Sequence, residues 1–403
     1  MSSSSLLLFD DVEIDEWREH VPDEVIALFQ EPDRDPKSYD EHSERICYSA
    51  TRDVILQRLD VMGITSEVAA DAFENWKEQR IELLGDIQIK VDDEVDSPAG
   101  SIRTLSYWGW QQRVPAALAA RFGPPLADSI SAKMQDLSED WMPFGSHDYR
   151  AALRAMLDAA PNVQAVTLDV SALIRAGYFD PDLCIALQLR AESDCRRPVL
   201  ESIVIIAEGS FDIRTLQISL RKLYPHLDYY FSFFDHEELN VDGGAEYLVK
   251  FIKAFATSGM YVRMIAVFDN DAAGVAAAAK ARALSLPSRI QILTLPDTDI
   301  AREYPTIGPQ GEHNVDINGR AASIELYLGR HNLLDRNHCL IPVRWSGYLA
   351  AVGQYQGAIE NKGAVHRAFE ADMAACTDPV QARRTHPELV AIWEQIFLAA
   401  RQR

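Results

Sequence analysis

The stretch from Val199 to Leu328 constrains the chain most. Apolar runs alternate there with helical segments: "VLESIVIIAEG" then "FDIRTLQISLRKLY", "DYYFSFFD" then "AEYLVKFIKAFATSG", "YVRMIAVFDND" then "AAGVAAAAKARAL", and finally "RIQILTLP". Strands apolar along their whole length are buried on both faces, and strands joined through helices run parallel. The expected fold class is therefore α/β, a Rossmann-like parallel sheet with flanking helices.

In such a sheet, side chains at the carboxyl ends of strands line the ligand crevice. Two strands here end in acids: Glu208 in "IIAEGSFD", and Asp269 with Asp271 in "VFDNDAAG". Like charges at a strand end repel and are costly to desolvate, so the pattern asks for a counter-charge. Gly209 and Gly274 let the backbone turn just after the acids. Mg2+ is typically held by a few carboxylates while keeping waters and substrate phosphates, so Mg2+ or Mn2+ is the expected cofactor. Either motif alone has an ordinary reading, because acidic pairs often cap helices. Both together, in order and in α/β register, point to a cation site.

This arrangement strongly resembles the Toprim domain of topoisomerases, bacterial primases, OLD-family nucleases and small ribosomal-RNA maturases. That family carries a glutamate after its first strand and a D-x-D pair after a later one, and Glu208, Asp269 and Asp271 match residue by residue. Asp212 fits a further acid often seen in "EGxxD". In "YPTIGPQGEHNVDINGRAASIELYLG" an Ile-Glu-x-Tyr element is similar to the closing motif of OLD-type proteins and puts Glu325 at the site's edge, although "SIELYL" also reads as an ordinary amphipathic helix. The whole layout resembles bacterial proteins described as HEPN/Toprim-associated, which are linked to phage defence. The resemblance implies metal binding by Glu208, Asp212, Asp269, Asp271 and Glu325, and catalysis by Glu208, Asp269 and Asp271. Lys362 in "YQGAIENK" is a candidate phosphate-binding or base-assisting lysine, or simply solvated surface. Arg320, Arg344 and Lys362 are candidate nucleic-acid contacts. "DGGAE" at Asp242–Glu246 reads either as a backbone phosphate cradle or as a helix-starting turn.

The other regions are assigned by pattern. Residues 1–160 are expected to form a mainly α-helical N-terminal domain, with helices over Tyr48–Leu59, Val68–Leu84, Pro115–Phe122 and Tyr149–Leu157. "DIQIKVDDEVDSPAG" reads as a short strand and an acidic turn. Residues 161–197 connect, with a strand at "VQAVTLDV"; residues 198–330 form the Toprim domain, and 331–403 a small mixed C-terminal extension. HEPN ribonucleases carry an arginine followed four to six residues later by a histidine. His20, His42 and His147 in the N-terminal region do not follow an arginine at that spacing, so a scaffold, sensor or oligomerisation role is expected there.

The net charge of -22 looks wrong for a polyanion binder. However, residues 1–100 hold 26 of the 61 acidic side chains and 9 of the 39 basic ones, so the remainder is close to balanced. Five scattered cysteines, no C-x-x-C pair, no apolar run of bilayer length and no basic leader point to a cytoplasmic protein with reduced thiols. A recognisable strand-passage region, a primase zinc module and a G-x-x-x-x-G-K-[ST] motif are missing, so any ATPase partner must be a separate chain. The sequence reads as a metal-dependent nuclease acting on DNA or RNA in anti-phage defence, as a homo-oligomer or with another defence protein. The alternative is a non-catalytic binder of nucleic acid or protein.

Overall fold

The computed structural model describes residues 3–35, 45–87, 104–116, 118, 148–180, 182, 184–189, 202–235, 243–258, 262–350 and 352–402. The chain divides into two compact units, Met1–Leu200 and Glu201–Arg403.

The first unit is mixed α/β, which corrects the expectation of a mainly helical region. Strands β1 (Ser4–Phe9), β2 (Val12–Arg18), β3 (Cys47–Thr51) and β4 (Ala165–Asp169) form an antiparallel sheet in the order β2-β1-β4-β3. The signal is period two at the start of β2, where Val12 and Ile14 are buried and Glu13 between them is exposed. Helical periodicity was also read through a boundary. "CYSAT" is a strand, and Thr51 then caps the next helix by accepting the Val54 N–H at 3.4 Å. The helices are α1 (Asp23–Ile26), α2 (Arg52–Val61), α3 (Ser66–Ile87), α4 (Tyr107–Gln111), α5 (Tyr149–Ala159) and α6 (Ser171–Arg175). α5 starts where the sequence placed it, and β4 lies within the expected strand "VQAVTLDV", beginning at Ala165. Phe73, Trp76, Tyr107 and Trp110 form an aromatic cluster between α3 and α4. Fully buried Arg58 is matched by Asp33 at 2.6 Å. Residues 88–100, most of Pro115–Phe122, His42, His147 and Cys195 lie outside the described residues.

The second unit contains the expected parallel sheet. β5 (Ile203–Ala207), β6 (Phe231–Phe233), β7 (Met264–Phe268) and β9 (Ile290–Thr294) are parallel in the order β6-β5-β7-β9. They alternate with α7 (Ser210–Leu223), α8 (Ala245–Thr257) and α9 (Ala272–Arg282). Met264, Ala266 and Phe268 pack with Leu248, Ile252, Ala277 and Ala281 of α8 and α9. A short strand β8 (Asn270–Asp271) pairs with β12 (Ala321–Ala322). A second sheet, β11-β10-β13-β14, comprises β10 (Tyr304–Gly308), β11 (Gly311–Val315), β13 (Val343–Leu349) and β14 (Gln354–Ile359). The chain ends in α10 (Lys362–Ala375), α11 (Pro379–Thr385) and α12 (Pro387–Ala400). Helix α7 packs on β5, and α12 on β7 and β9. Fully buried Trp393 of α12 fixes this layer, donating to Ser219 Oγ at 2.9 Å and packing edge-on against Phe231.

The strand order positions the crevice. From β5 the chain moves to one side to place β6, then returns past β5 to place β7 and β9 on the other. The direction reverses between β5 and β7, and in open α/β sheets ligands bind at that switch point, outside the carboxyl ends of the strands.

Candidate metal centre

Glu208 follows β5 and Asp269 follows β7, so the two acids flank the switch point. They are tied together directly: Glu208 Oε1 accepts the Asp269 backbone N–H at 3.0 Å. Asp271 begins α9 and caps it, its Oδ1 accepting the Gly274 N–H at 2.7 Å. Asp212, on the first turn of α7, accepts the Gly209 N–H at 2.8 Å. Asp269 Oδ1 accepts the Ile324 N–H at 3.1 Å. A Cβ on Gly274 would lie 2.4 Å from the Asp269 carbonyl oxygen and 2.6 Å from Glu208 Oε1. Only glycine lets α9 start this close to both acids.

The electrostatics follow from crowding. Burial, and then the charge of Asp271, raise Glu208 to about 8. Burial, then Glu325, raise Asp212 to about 7. Asp269 is pushed well above the carboxylate range by burial and by Asp212, Glu208 and Asp271. Asp271 is raised by burial against the opposing hydrogen bonds of the Gly274 and Ala273 N–H groups. By surface area Glu208, Asp212 and Asp269 are each partly rather than fully buried.

Glu325 differs. It is buried, which would raise it, yet hydrogen bonding from His366 and the charge of Lys362 hold it down at about 2. Lys362 Nζ and His366 Nε2 each lie 3.0 Å from Glu325 Oε1, and Ser323 Oγ donates to Oε2 at 2.5 Å. Both oxygens of Glu325 are thus engaged, and Lys362 is raised by that carboxylate despite its own desolvation. His366, which sequence reasoning missed, stacks on Phe211 at 3.3 Å. It stands 41 residues from Glu325, and no local pattern announces it.

The candidate cationic contacts separate. Arg344 pairs with Glu360, so its charge is matched. Arg320 lies beside the acids, its carbonyl accepting the Ala272 N–H at 3.2 Å. Its side chain lines a cleft of about 600 Å³ together with Trp345, Tyr348, Tyr355, Gln310 and Thr306. Tyr348 and Tyr355 face each other across β13 and β14, each 59% exposed. The "DGGAE" segment is a helix start: the Gly244 N–H is used by the Glu208 carbonyl at 2.7 Å, and Asp242 lies outside the described residues.

The oxygen-only donor set fits Mg2+ or Mn2+. Glu208, Asp212, Asp269 and Asp271 converge on one crevice, while Lys362, the nearby cation, is held by Glu325. The carboxylates are nonetheless spread. Among the described residues, the group bringing three ligand atoms within 4.8 Å of one another is a different one, His331, Asp372 and His386. A hard cation at the acids would be held by few protein oxygens and by water, as Mg2+ commonly is.

Residues 1–193 match the family model described as HEPN/Toprim N-terminal domain 1. The match coincides with the first unit and ends before the parallel sheet begins. No curated protein matches the chain, and no solved structure does. Among the described residues, no helix is long and apolar enough to cross a membrane.

Proposed function

We propose that the protein is a Toprim-type, Mg2+- or Mn2+-dependent nuclease of bacterial defence, whose reaction centre is the crevice between β5 and β7. The observation that carries this reading is the cluster of four acids at the switch point, with Glu208 and Asp269 hydrogen-bonded across it. Carboxyls raised by burial and by neighbouring charges are a common mark of a functional site. The description of the matched family, which pairs the first unit with HEPN and Toprim by name, supports the same direction.

Bound at these acids, one or two divalent ions would supply water activation and stabilisation of the leaving oxygen of a phosphodiester. The chain's own residues do the rest. Glu208, Asp269 and Asp271 would hold the cation, and backbone N–H groups orient the three carboxylates for it. Lys362, kept charged by Glu325, stands beside the acids as a contact for a phosphate. Nucleic acid as the substrate is favoured by the adjoining cleft, where Tyr348, Tyr355 and Trp345 offer ring faces for bases and Arg320 offers a charge. That composition suits unpaired strands, because a base must leave its duplex to stack on a side chain.

The test is incubation of the purified protein with supercoiled DNA, single-stranded DNA and total RNA under Mg2+, Mn2+ or EDTA. Metal-dependent cleavage that disappears in Asp269→Asn supports the proposal. Binding without cleavage under every metal favours the non-catalytic reading, in which the crevice serves recognition alone.

A further inference from the structure

His331, Asp372 and His386 meet although they are scattered in sequence. His331 lies on the turn Arg330–Leu333, Asp372 on α10 and His386 at the start of α12. His331 Nε2 is 2.7 Å, and His386 Nε2 2.8 Å, from the same oxygen, Asp372 Oδ2.

The hydrogen bonding of His386 says what those contacts require. The residue is fully buried. Its Nδ1 lies 3.1 Å from the Ala382 carbonyl oxygen, which can only accept. It also lies 2.9 Å from Thr385 Oγ1, a hydroxyl 3.2 Å from the Gln381 carbonyl oxygen and 3.1 Å from that of Ala382. With its proton on Nδ1, donated to the Ala382 carbonyl, the neutral ring presents a lone pair at Nε2. A lone pair 2.8 Å from a carboxylate oxygen is repulsive unless a cation lies with it. In that tautomer a metal ion shared by Nε2 and the Asp372 carboxylate removes the repulsion. A histidine that donates one ring N–H to a backbone carbonyl and turns the other nitrogen to a carboxylate is arranged as metal ligands are.

The surroundings are built to the same end. Asn332 Nδ2 donates to the Leu328 carbonyl at 2.8 Å and to Asp372 Oδ2 at 3.1 Å, which orients the carboxylate. Gly329, at φ +90°, lies against both rings. A Cβ there would sit 2.9 Å from His331 Cε1 and 3.1 Å from His386 Cδ2. The outer ligand, His331, has 48% of its side chain exposed, leaving a water-accessible side.

We infer that His331, Asp372 and His386 bind one divalent transition-metal ion through two imidazole nitrogens and one carboxylate oxygen. Two nitrogens and an oxygen suit Zn2+ and its neighbours, in contrast to the oxygen-only set at Glu208, Asp269 and Asp271. The ion is a clamp. Asp372 shares α10 with Lys362 and His366, and His331 follows the turn that carries Glu325. Metal binding at one end of α10 therefore fixes the helix whose other end holds Glu325.

Co2+ reports this site directly, because mixed imidazole and carboxylate ligation at low coordination number gives visible d–d absorption. The full chain, stripped with a chelator, is titrated with Co2+ and then with Zn2+ in competition. The same titration is run on His331→Ala, Asp372→Asn and the double variant Asp269→Asn/Asp271→Asn, with circular dichroism on each. The expected result is one equivalent of Co2+ with a visible band, displaced by Zn2+. Affinity should fall at least tenfold in His331→Ala and Asp372→Asn and persist in the double variant. The inference is overturned if the wild-type protein gives no band. It is equally overturned if binding is lost in the double variant but retained in the other two. A cluster of two imidazoliums around a carboxylate gives the first of these outcomes.

Discussion

Glu208→Gln isolates the electrostatics of the crevice. The amide keeps an oxygen to accept the Asp269 N–H, now made at 3.0 Å, and removes one charge from the acid group. In the metal-free protein Glu208 titrates at about 8 instead of near 4.5. Its folded-state proton affinity is raised above that of the unfolded chain. The stability this proton contributes is therefore fully present below about pH 4.5 and is lost as pH rises through about 8. At about 1.4 kcal/mol for each pH unit, forcing the carboxylate to ionise costs on the order of 4–5 kcal/mol. Its partial solvent access reduces that, and about 2–3 kcal/mol is the expected gain for the variant at pH 9. For a unit of about 200 residues this corresponds to a Tm rise of ~5–10 °C. Thermal unfolding in EDTA from pH 5 to pH 9 should show near-equal stabilities at the acid end and a widening advantage for Glu208→Gln at the alkaline end. With excess Mg2+ the order should reverse. A Tm difference independent of pH, or a variant less stable at pH 9, would refute the reasoning.

Other perturbations separate charge from structure. Asp271→Asn should abolish cleavage without loss of stability in the metal-free protein, since asparagine caps α9 about as well and removes a carboxylate whose charged form burial disfavours, whereas Asp271→Ala should cost about 1 kcal/mol more in chemical denaturation. Gly274→Ala should destabilise by about 1–3 kcal/mol, because its Cβ meets backbone and carboxylate oxygens, and should weaken Mn2+ binding. Lys362→Met leaves buried Glu325 with His366 and Ser323 alone; stability at pH 7 should fall by about 1–2 kcal/mol, less than for a fully buried pair because Lys362 is half exposed. Binding of Asp271→Asn to a labelled single strand should show a shallow salt dependence, about two to four phosphate contacts at about 0.7 each on the log–log slope, and fluorescence anisotropy across a salt series gives it. A steep slope without a metal requirement would point to a broad basic surface instead.

The second unit was legible where local signals are strong. "IVIIA" and "MIAVF" are apolar throughout, so burial on both faces and parallel pairing follow, and an acid followed closely by glycine marks the strand end that faces the crevice. The first unit was less so. Its strands alternate on short runs, and the Thr51 cap joins strand to helix without a break, so helical periodicity was carried too far. Groups assembled from distant segments left no trace in the sequence. The pairing of Glu325 with Lys362 and His366, the exposed rings of Tyr348 and Tyr355, and the meeting of His331, Asp372 and His386 each depend on tertiary packing. Residue type placed Lys362 among the candidates; only the fold shows that it is matched by Glu325.

Mn2+ binding followed by electron paramagnetic resonance tests the claim that the acids at the ends of β5 and β7 form a cation site. The comparison is of wild type, the double variant Glu208→Gln/Asp269→Asn, and His331→Ala. With one equivalent of Zn2+ present to fill the His331 site, one or two Mn2+ ions should bind the wild type and His331→Ala alike, and Mn2+ binding should be lost in the double variant without loss of folded structure. Equal Mn2+ binding by the double variant and the wild type would contradict the account.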